Sequence, residues 1–240
     1  MLITIWLARN QARYNNKLIS WRNAISIIIA CTTLSGNKTL KASSNSMSDF
    51  TFLKLFRIDI HQPRIPVIKE VIWQPPSVNW IKCNTDGASC GNPGTAACGG
   101  VFRDHHANFV YAFAEPLGIE TAYFAELCGV LKAIDIAYEK NWINLWLESD
   151  SSQVVAAFKN PKKPIAWPLR NRWKNAIFKM SHMHCIVTHT YREGNKVADL
   201  IANFGLSSSE PTFWNVGPEF ILDAMDCNKR GLPNFRLCSS

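Results

Sequence analysis

From Trp80 onward, apolar and polar residues follow short, regular periods. "WIKCNTD" alternates with period two, and "GGVFRD" and "NFVYAFAEP" are further β-rich runs separated by turn residues around Asp104 to Asn108. Three such runs in succession predict an antiparallel meander. The period then lengthens: in "TAYFAELCGVLKAIDIAYEK", Leu127, Leu131, Ile134 and Tyr138 recur at helical spacing. "INLWLESD" predicts a strand with acids at its end, and "SSQVVAAFKN" a short helix with a serine cap, closed by Pro161. "PLRNRWKNAIFKM", "HCIVTHT" and "NKVADLIANFGL" follow as helix, strand and helix. The order βββαβααβα implies an α/β fold: a mixed five-stranded sheet, three strands antiparallel and the rest parallel, with helices on both faces.

Outside this core the pattern loosens. Residues 1–75 form a basic, partly helical leader and linker, 76–206 the α/β domain, and 207–240 a tail. In the leader "WRNAISIIIA" could form an amphipathic helix, while "GNKTLKASSNSMSDF" is serine-rich and aperiodic, as linkers are. "HQPRIPVIKEVIWQPP" is a second loose stretch and ends in a proline pair. In the tail, "FWNVGPEFILDAMD" is either a docking strand or an idle extension.

Charge adds to this picture through its distribution. The chain carries net +8, of which residues 1–75 hold +7, with 10 Lys/Arg against 3 Asp/Glu. Basicity of this kind favours a polyanionic partner. The first 48 residues hold six Lys/Arg and no acid, which suits an organelle transit peptide as well as a basic helical arm. No apolar run approaches the roughly 18 residues of a membrane span, so no membrane partner is expected. Eight cysteines without a C-x-x-C pair read as reduced, mostly buried thiols of an intracellular protein. "SHMHC" would put His182 and His184 on one strand face, and a solvent-facing strand edge explains it better than a metal cluster.

Candidate chemistry gathers on four acids. Asp86 ends the first strand and runs into the glycine-rich "GASCGNPG". Glu126 lies in the first helix among Ala122, Gly129 and Ala133. Asp150 ends the next strand, and Asp199 stands early in the last helix. An acid among apolar neighbours is costly unless paired or metal-bound. Each alone would pass for a cap or surface residue; the four together, on separate elements, point to a metal site.

"DGASCGNPG", "AELCGVLKAIDIA", "ESDSSQVV" and "HTYREGNKVADLIA" resemble, in order, the four motif blocks of type 1 ribonuclease H. The resemblance spans about residues 78–206 and is nearest to the plant branch related to non-LTR retrotransposons. It implies an RNA–DNA hybrid endonuclease that hydrolyses the RNA strand to 5′-phosphate and 3′-hydroxyl ends. Asp86, Glu126, Asp150 and Asp199 would hold two Mg²⁺ ions, with Mn²⁺ as the substitute, and His189 would assist product release. Gly87, Ala88, Ser89, Asn92, Ser151, Gln153 and Asn195 would lie along the substrate, with Asn92 in the hybrid's minor groove. A monomer is expected.

Physical chemistry is consistent with these roles. Carboxylate oxygens suit Mg²⁺, and two ions about 4 Å apart can activate water and stabilise the leaving oxygen. A glycine-rich loop would let the RNA strand approach the backbone, where 2′-hydroxyls distinguish RNA. Ordinary readings stand beside them: Asp199 as a first-turn helix acid, His189 as a solvent-facing strand end, Asn92 as a turn former. The basic run 159–179, with Trp167 and Trp173, is either a solvated face or a short hybrid-binding protrusion. The rival functions are a non-catalytic nucleic-acid-binding module and an exonuclease of the same fold; the "GNPG" platform disfavours the latter.

Overall fold

The computed structural model describes residues 2–44, 46–62, 67–161 and 165–238, with side chains from residue 5 onward. It divides into two compact units, Met1–Val67 with Leu237–Ser240, and Ile68–Arg236. In the first unit lie three helices: α1 (Leu2–Asn15), α2 (Trp21–Lys38) and α3 (Met47–Leu55). Ser20 caps α2, its hydroxyl accepting from Asn23 N at 3.2 Å. The serine-rich stretch expected as linker from residue 36 is narrower than that. Helix α2 runs to Lys38, and the polar opening of α3 carries Asp49 in its first turn, where an acid meets the positive end of the helix.

The second unit is built on a six-stranded sheet in the order β6-β5-β2-β3-β4-β7. Its strands are β2 (Ile81–Gly91), β3 (Gly94–Arg103), β4 (Phe109–Glu120), β5 (Asn144–Ser149), β6 (His184–His189) and β7 (Thr212–Trp214). β2, β3 and β4 form the expected antiparallel meander, and β5 and β6 add in parallel beside β2. The sixth strand comes from the tail: "TFW" pairs antiparallel with Ala112–Ala114 of β4. A two-stranded ribbon, β1 (Val67–Val71) with β8 (Asn234–Cys238), completes the strands. β1 arises inside the stretch that reads as loose, because its side chains alternate too little in polarity to announce a strand.

Helices cover both faces. On one, α4 (Ala122–Glu139), α5 (Ser152–Lys159) and α6 (Arg170–Met180) enclose a core with Cys83, Phe102, Leu127, Leu131, Leu147 and Trp173. On the other, α7 (Lys196–Leu206) and α8 (Glu219–Lys229) close over Val101, Ala112, Ile201, Ile221 and Met225. The cysteines divide more evenly than expected: Cys83, Cys98 and Cys128 are buried, whereas Cys31, Cys90 and Cys227 are exposed. The histidines of "SHMHC" do not share a strand. His182 sits in the turn after α6 with Nδ1 2.9 Å from Phe178 O, and His184 opens the sheet-edge strand β6, exposed. Among the described residues, no helix is long and apolar enough to cross a membrane.

Candidate active site

The stretch "GASCGNPG" is not a loop. β2 and β3 stay paired from Lys82↔Arg103 to Gly91↔Gly94, so only Asn92 and Pro93 form the turn, with Gly91 at φ +114°. The glycine content has another cause, visible at Gly87. A Cβ there would lie 2.2 Å from Glu126 N and 2.5 Å from Ala125 C, so the backbone of α4 occupies the space. At Gly129, on the facing side, a Cβ would stand 3.2 Å from Asp86 O. These two glycines let α4 press onto β2 and bring Glu126 to Asp86, which lies in the middle of β2 and not at a strand end as expected, because the pairing with β3 carries the strand on through the glycine-rich stretch. Thr121 caps α4 by accepting from Phe124 N at 3.2 Å, and Asn92 Oδ1 accepts from Ala122 N at 3.3 Å.

Asp86, Glu126 and Asp150 converge: one carboxylate oxygen from each lies within 4.8 Å of the others. Asp86 is buried and the other two half-buried. Burial, and then the charges of Glu126, Asp150 and Asp199, push the Asp86 carboxyl up to about 10. Burial and the Asp150 charge raise Glu126 to about 8. Asp150 is also raised, by burial, against hydrogen bonding with Asp86. Three carboxyls this close cannot all ionise without a cation, so the trio holds protons in its absence.

The trio fits a divalent metal. Asp150 Oδ1 is buried with no hydrogen-bond partner among the described residues, which leaves an aimed, unused acceptor. The donor set is all hard oxygen, as Mg²⁺ or Mn²⁺ prefers. Asp199 stands apart. Its Oδ1 is 3.2 Å from the Arg192 guanidinium and Oδ2 accepts from Asn203 at 3.1 Å, yet its charge still reaches Asp86. Arg192 is a site residue that sequence reading missed; only its place seven residues before Asp199 hints at it.

The remaining expected residues surround this centre unevenly. His189 is exposed at the end of β6, its Nε2 3.1 Å from Asp150 O. Ser151 caps α5, accepting from Val154 N at 3.4 Å, and Gln153 is exposed on that helix. Ala88 and Ser89 continue β2, where Ser89 Oγ donates to Gly91 O at 2.7 Å. Asn195, expected along the substrate, is buried, with its amide donating to Thr85 O at 2.9 Å and its Oδ1 accepting from Asn84 at 3.1 Å. Of the basic run, Lys162 and Lys163 lie outside the described residues. Trp173 packs on Phe158 in the core with ring centroids 4.5 Å apart, whereas Trp167 is exposed.

Beneath the acids lies a polar network that no motif announced. Asn84 donates to Glu148 Oε2 at 2.9 Å, while its Oδ1 accepts from Trp73 Nε1 at 2.9 Å and from Arg103 at 2.6 Å. Lys82 Nζ pairs with Glu148 at 2.9 Å, and the Arg103 guanidinium stacks 3.7 Å over Trp73. Burial lowers Arg103 to about 9 and lowers Lys82 as well. Lys82, Asn84 and Asp86 share one face of β2, so the alternation of "WIKCNTD" carries the signal, though not the partners.

A mixed sheet of this order with helices on both faces, carrying an acidic trio from the middle of β2, the first half of α4 and just past the end of β5, defines a ribonuclease H-like fold. The chain belongs to the reverse transcriptase-like family, whose model matches residues 84–205. It is similar to an Arabidopsis thaliana protein named for ribonuclease H, with 37% identity over 155 residues, covering 63% of this chain and 24% of that protein. The chain thus spans about a quarter of that relative's length. The ribonuclease H of Polynucleobacter asymbioticus is 26% identical over 151 residues, covering 57% of this chain and 96% of that one. Among solved structures, the N-terminal RNase H domain of a Mycobacterium tuberculosis protein aligns with a TM-score of 0.50 and 26% identity. That alignment covers 55% of this chain and 95% of that chain. RNase H1 of Halobacterium salinarum gives 0.49 and 27%, covering 53% and 98%.

Proposed function

We propose that this chain is a metal-dependent ribonuclease that cleaves the RNA strand of an RNA–DNA hybrid to 5′-phosphate and 3′-hydroxyl ends. The observation that carries the reading is the convergence of Asp86, Glu126 and Asp150 within 4.8 Å, in a chain of this family. Asp86, Glu126 and Asp150 would hold the divalent ions, Mg²⁺ or Mn²⁺, with Asp199 completing the set at its edge. When bound, such ions supply Lewis-acid stabilisation of charge at the attacking and leaving oxygens.

The chain's own residues do the rest. Asp86 and Glu126 would release their protons to solvent when a cation neutralises the site, because the burial and repulsion that raised their affinity for protons would be offset. His189, exposed beside the Asp150 carbonyl, would handle the departing product. Arg192 holds the Asp199 carboxylate and leaves most of its own guanidinium open to a phosphate. Ala88, Ser89, Asn92, Ser151 and Gln153 flank the acids on β2, its turn and the start of α5, where the hybrid would lie. Gly87 serves the same surface indirectly, by letting α4 approach. The relation to reverse-transcriptase-associated ribonucleases H suggests descent from a retroelement.

The test is a cleavage assay on RNA–DNA hybrid with Mg²⁺, with and without chelator, beside Asp86→Asn. Cleavage that needs the metal and is lost in the variant supports the reading. Hybrid binding without any cleavage by the parent would instead favour a non-catalytic nucleic-acid-binding module.

A further inference from the structure

We infer that Tyr191 is a positioning residue for His189, and that the β1–β8 ribbon exists in part to hold it. The inference rests on the ribonuclease reading for its consequence, though not for its geometry. Residues 190–195 connect β6, whose last residue is His189, to α7. The ring of Tyr191 meets His189 edge-on, with centroids 5.9 Å apart and planes at 84°.

Three contacts tie this connection to the ribbon. Lys69 of β1 places Nζ 4.6 Å from the Tyr191 ring centroid and donates to its hydroxyl at 3.0 Å. Arg236 of β8 sets its guanidinium 4.8 Å from the same ring and pairs with Glu193 at 3.2 Å. Val71, the last residue of β1, abuts Gly194 so closely that a Cβ there would stand 3.0 Å from Val71 Cγ1.

The two strands come from opposite ends of the Ile68–Arg236 unit and lie outside the family-matched residues 84–205. They meet on one aromatic side chain. An aromatic face attracts cations, and a short connection fixed at Tyr191, Glu193 and Gly194 loses most of its freedom. Both cations contact the Tyr191 ring, which in turn meets His189 edge-on. Their effect on the reaction therefore runs through the placement of the neighbouring histidine.

The experiment uses the full chain and three changes: Tyr191→Leu, Tyr191→Phe, and the pair Lys69→Gln with Arg236→Gln. Two readouts are taken, hybrid cleavage with Mg²⁺ and the His189 imidazole signals in ¹H–¹³C NMR spectra. Tyr191→Leu should lower kcat about tenfold while KM stays within about twofold, since a small misplacement of a reacting group is costly and substrate contact is intact. Tyr191→Phe should keep most of kcat, because the ring and its cations remain. In a His189→Ala background, Tyr191→Leu should have no further effect. The His189 ring signals should move in Tyr191→Leu and broaden in the Lys69/Arg236 pair.

A loss that adds to that of His189→Ala, or one confined to KM, would overturn the inference and make Tyr191 a direct nucleic-acid contact. Unmoved His189 signals would overturn it too, and the Lys69/Arg236 pair decides the matter should Tyr191→Leu fail to fold. A parent that never cleaves hybrid refutes the ribonuclease reading instead; the ring spectra need no substrate and still judge the contact.

Discussion

Gly87→Ala is the most direct probe of how the site is assembled. The added methyl would sit 2.2 Å from Glu126 N and 2.5 Å from Ala125 C, both backbone atoms that no rotamer change can move aside. Ordinary contact needs about 3.4 Å or more, so α4 must retreat from β2 by roughly 1 Å at this point. Overpacking of this kind costs about 1–3 kcal/mol. For a unit of about 170 residues that corresponds to a fall in Tm of roughly 2–12 °C. The functional loss should be larger, since Glu126 moves away from Asp86 and Asp150, and about 1 Å of misplacement can cost on the order of 100-fold in rate. Scanning calorimetry and single-turnover hybrid cleavage measure the two effects. Gly118→Ala is the comparison: it has open space but φ +77°, so it should cost only backbone strain, about 1 kcal/mol, and leave cleavage intact. If Gly87→Ala melts and cleaves like the parent, α4 is not held against β2 as described and the assembly argument fails.

Other consequences follow from the charges and the buried ring. In metal-free protein, Asp86 and Glu126 have folded-state values raised to about 10 and about 8, so the folded chain binds more protons than the unfolded one. Their stabilisation is complete below the ordinary carboxylate range and is lost as pH rises through about 8 towards 10. The Tm increment produced by Mg²⁺ should therefore be larger near about pH 9 than near about pH 6, which scanning fluorimetry checks; an increment that shrinks with pH refutes it. Glu148→Ala leaves Lys82 buried without its carboxylate and should destabilise the protein by about 3–5 kcal/mol in urea denaturation. A chain starting at Ile68 should fold, whereas one starting at Pro76 lacks Trp73 and should lose about 3–5 kcal/mol or fail to fold, as circular dichroism melts would register.

What the sequence made legible was whatever repeats at short period or stands in a motif. The meander, the crossover and helices α4 to α7 follow from alternation and helical spacing, and the four acids from the ordered motif blocks they stand in. The misses have physical causes. "GASCGNPG" reads as a loop because glycine is permissive everywhere, yet here it serves helix–sheet approach at Gly87 and strand pairing up to a two-residue turn. β1 and β8 are short, and each exists only through the other, so neither has a local signature. The tail's "TFW" gains its strand from the open edge of β4 and α8 from the apolar ground beside α7, both tertiary effects. The Asn84 network was invisible because hydrogen-bond partners 11 to 111 residues apart leave no periodic trace, and the Arg192–Asp199 pair, seven residues apart, spans a connection and a helix start with no common period.

The trio and the neighbouring Asp199 come from separate parts of the chain, and the chain positions them by two different means on the two faces of the sheet. On the α4 face the means is steric. Gly87 and Gly129 remove the side chains that would keep helix and strand apart, so Glu126 arrives by close backbone approach. On the α7 face it is polar. Asn84 links β2, which carries Asp86, to Glu148 on β5, which leads to Asp150, and to Asn195 at the start of α7, whose first turn carries Asp199. Lys82 and Arg103 balance Glu148 with one cation in excess, beneath the acidic trio. A purely apolar filling would pack those strands as well, but it would not fix the register between them, whereas each of these hydrogen bonds is satisfied in one register only. The two devices are independent. A steric change at Gly87 should therefore spare the position of Asp199 relative to Asp86, and a polar change at Asn84 should spare that of Glu126.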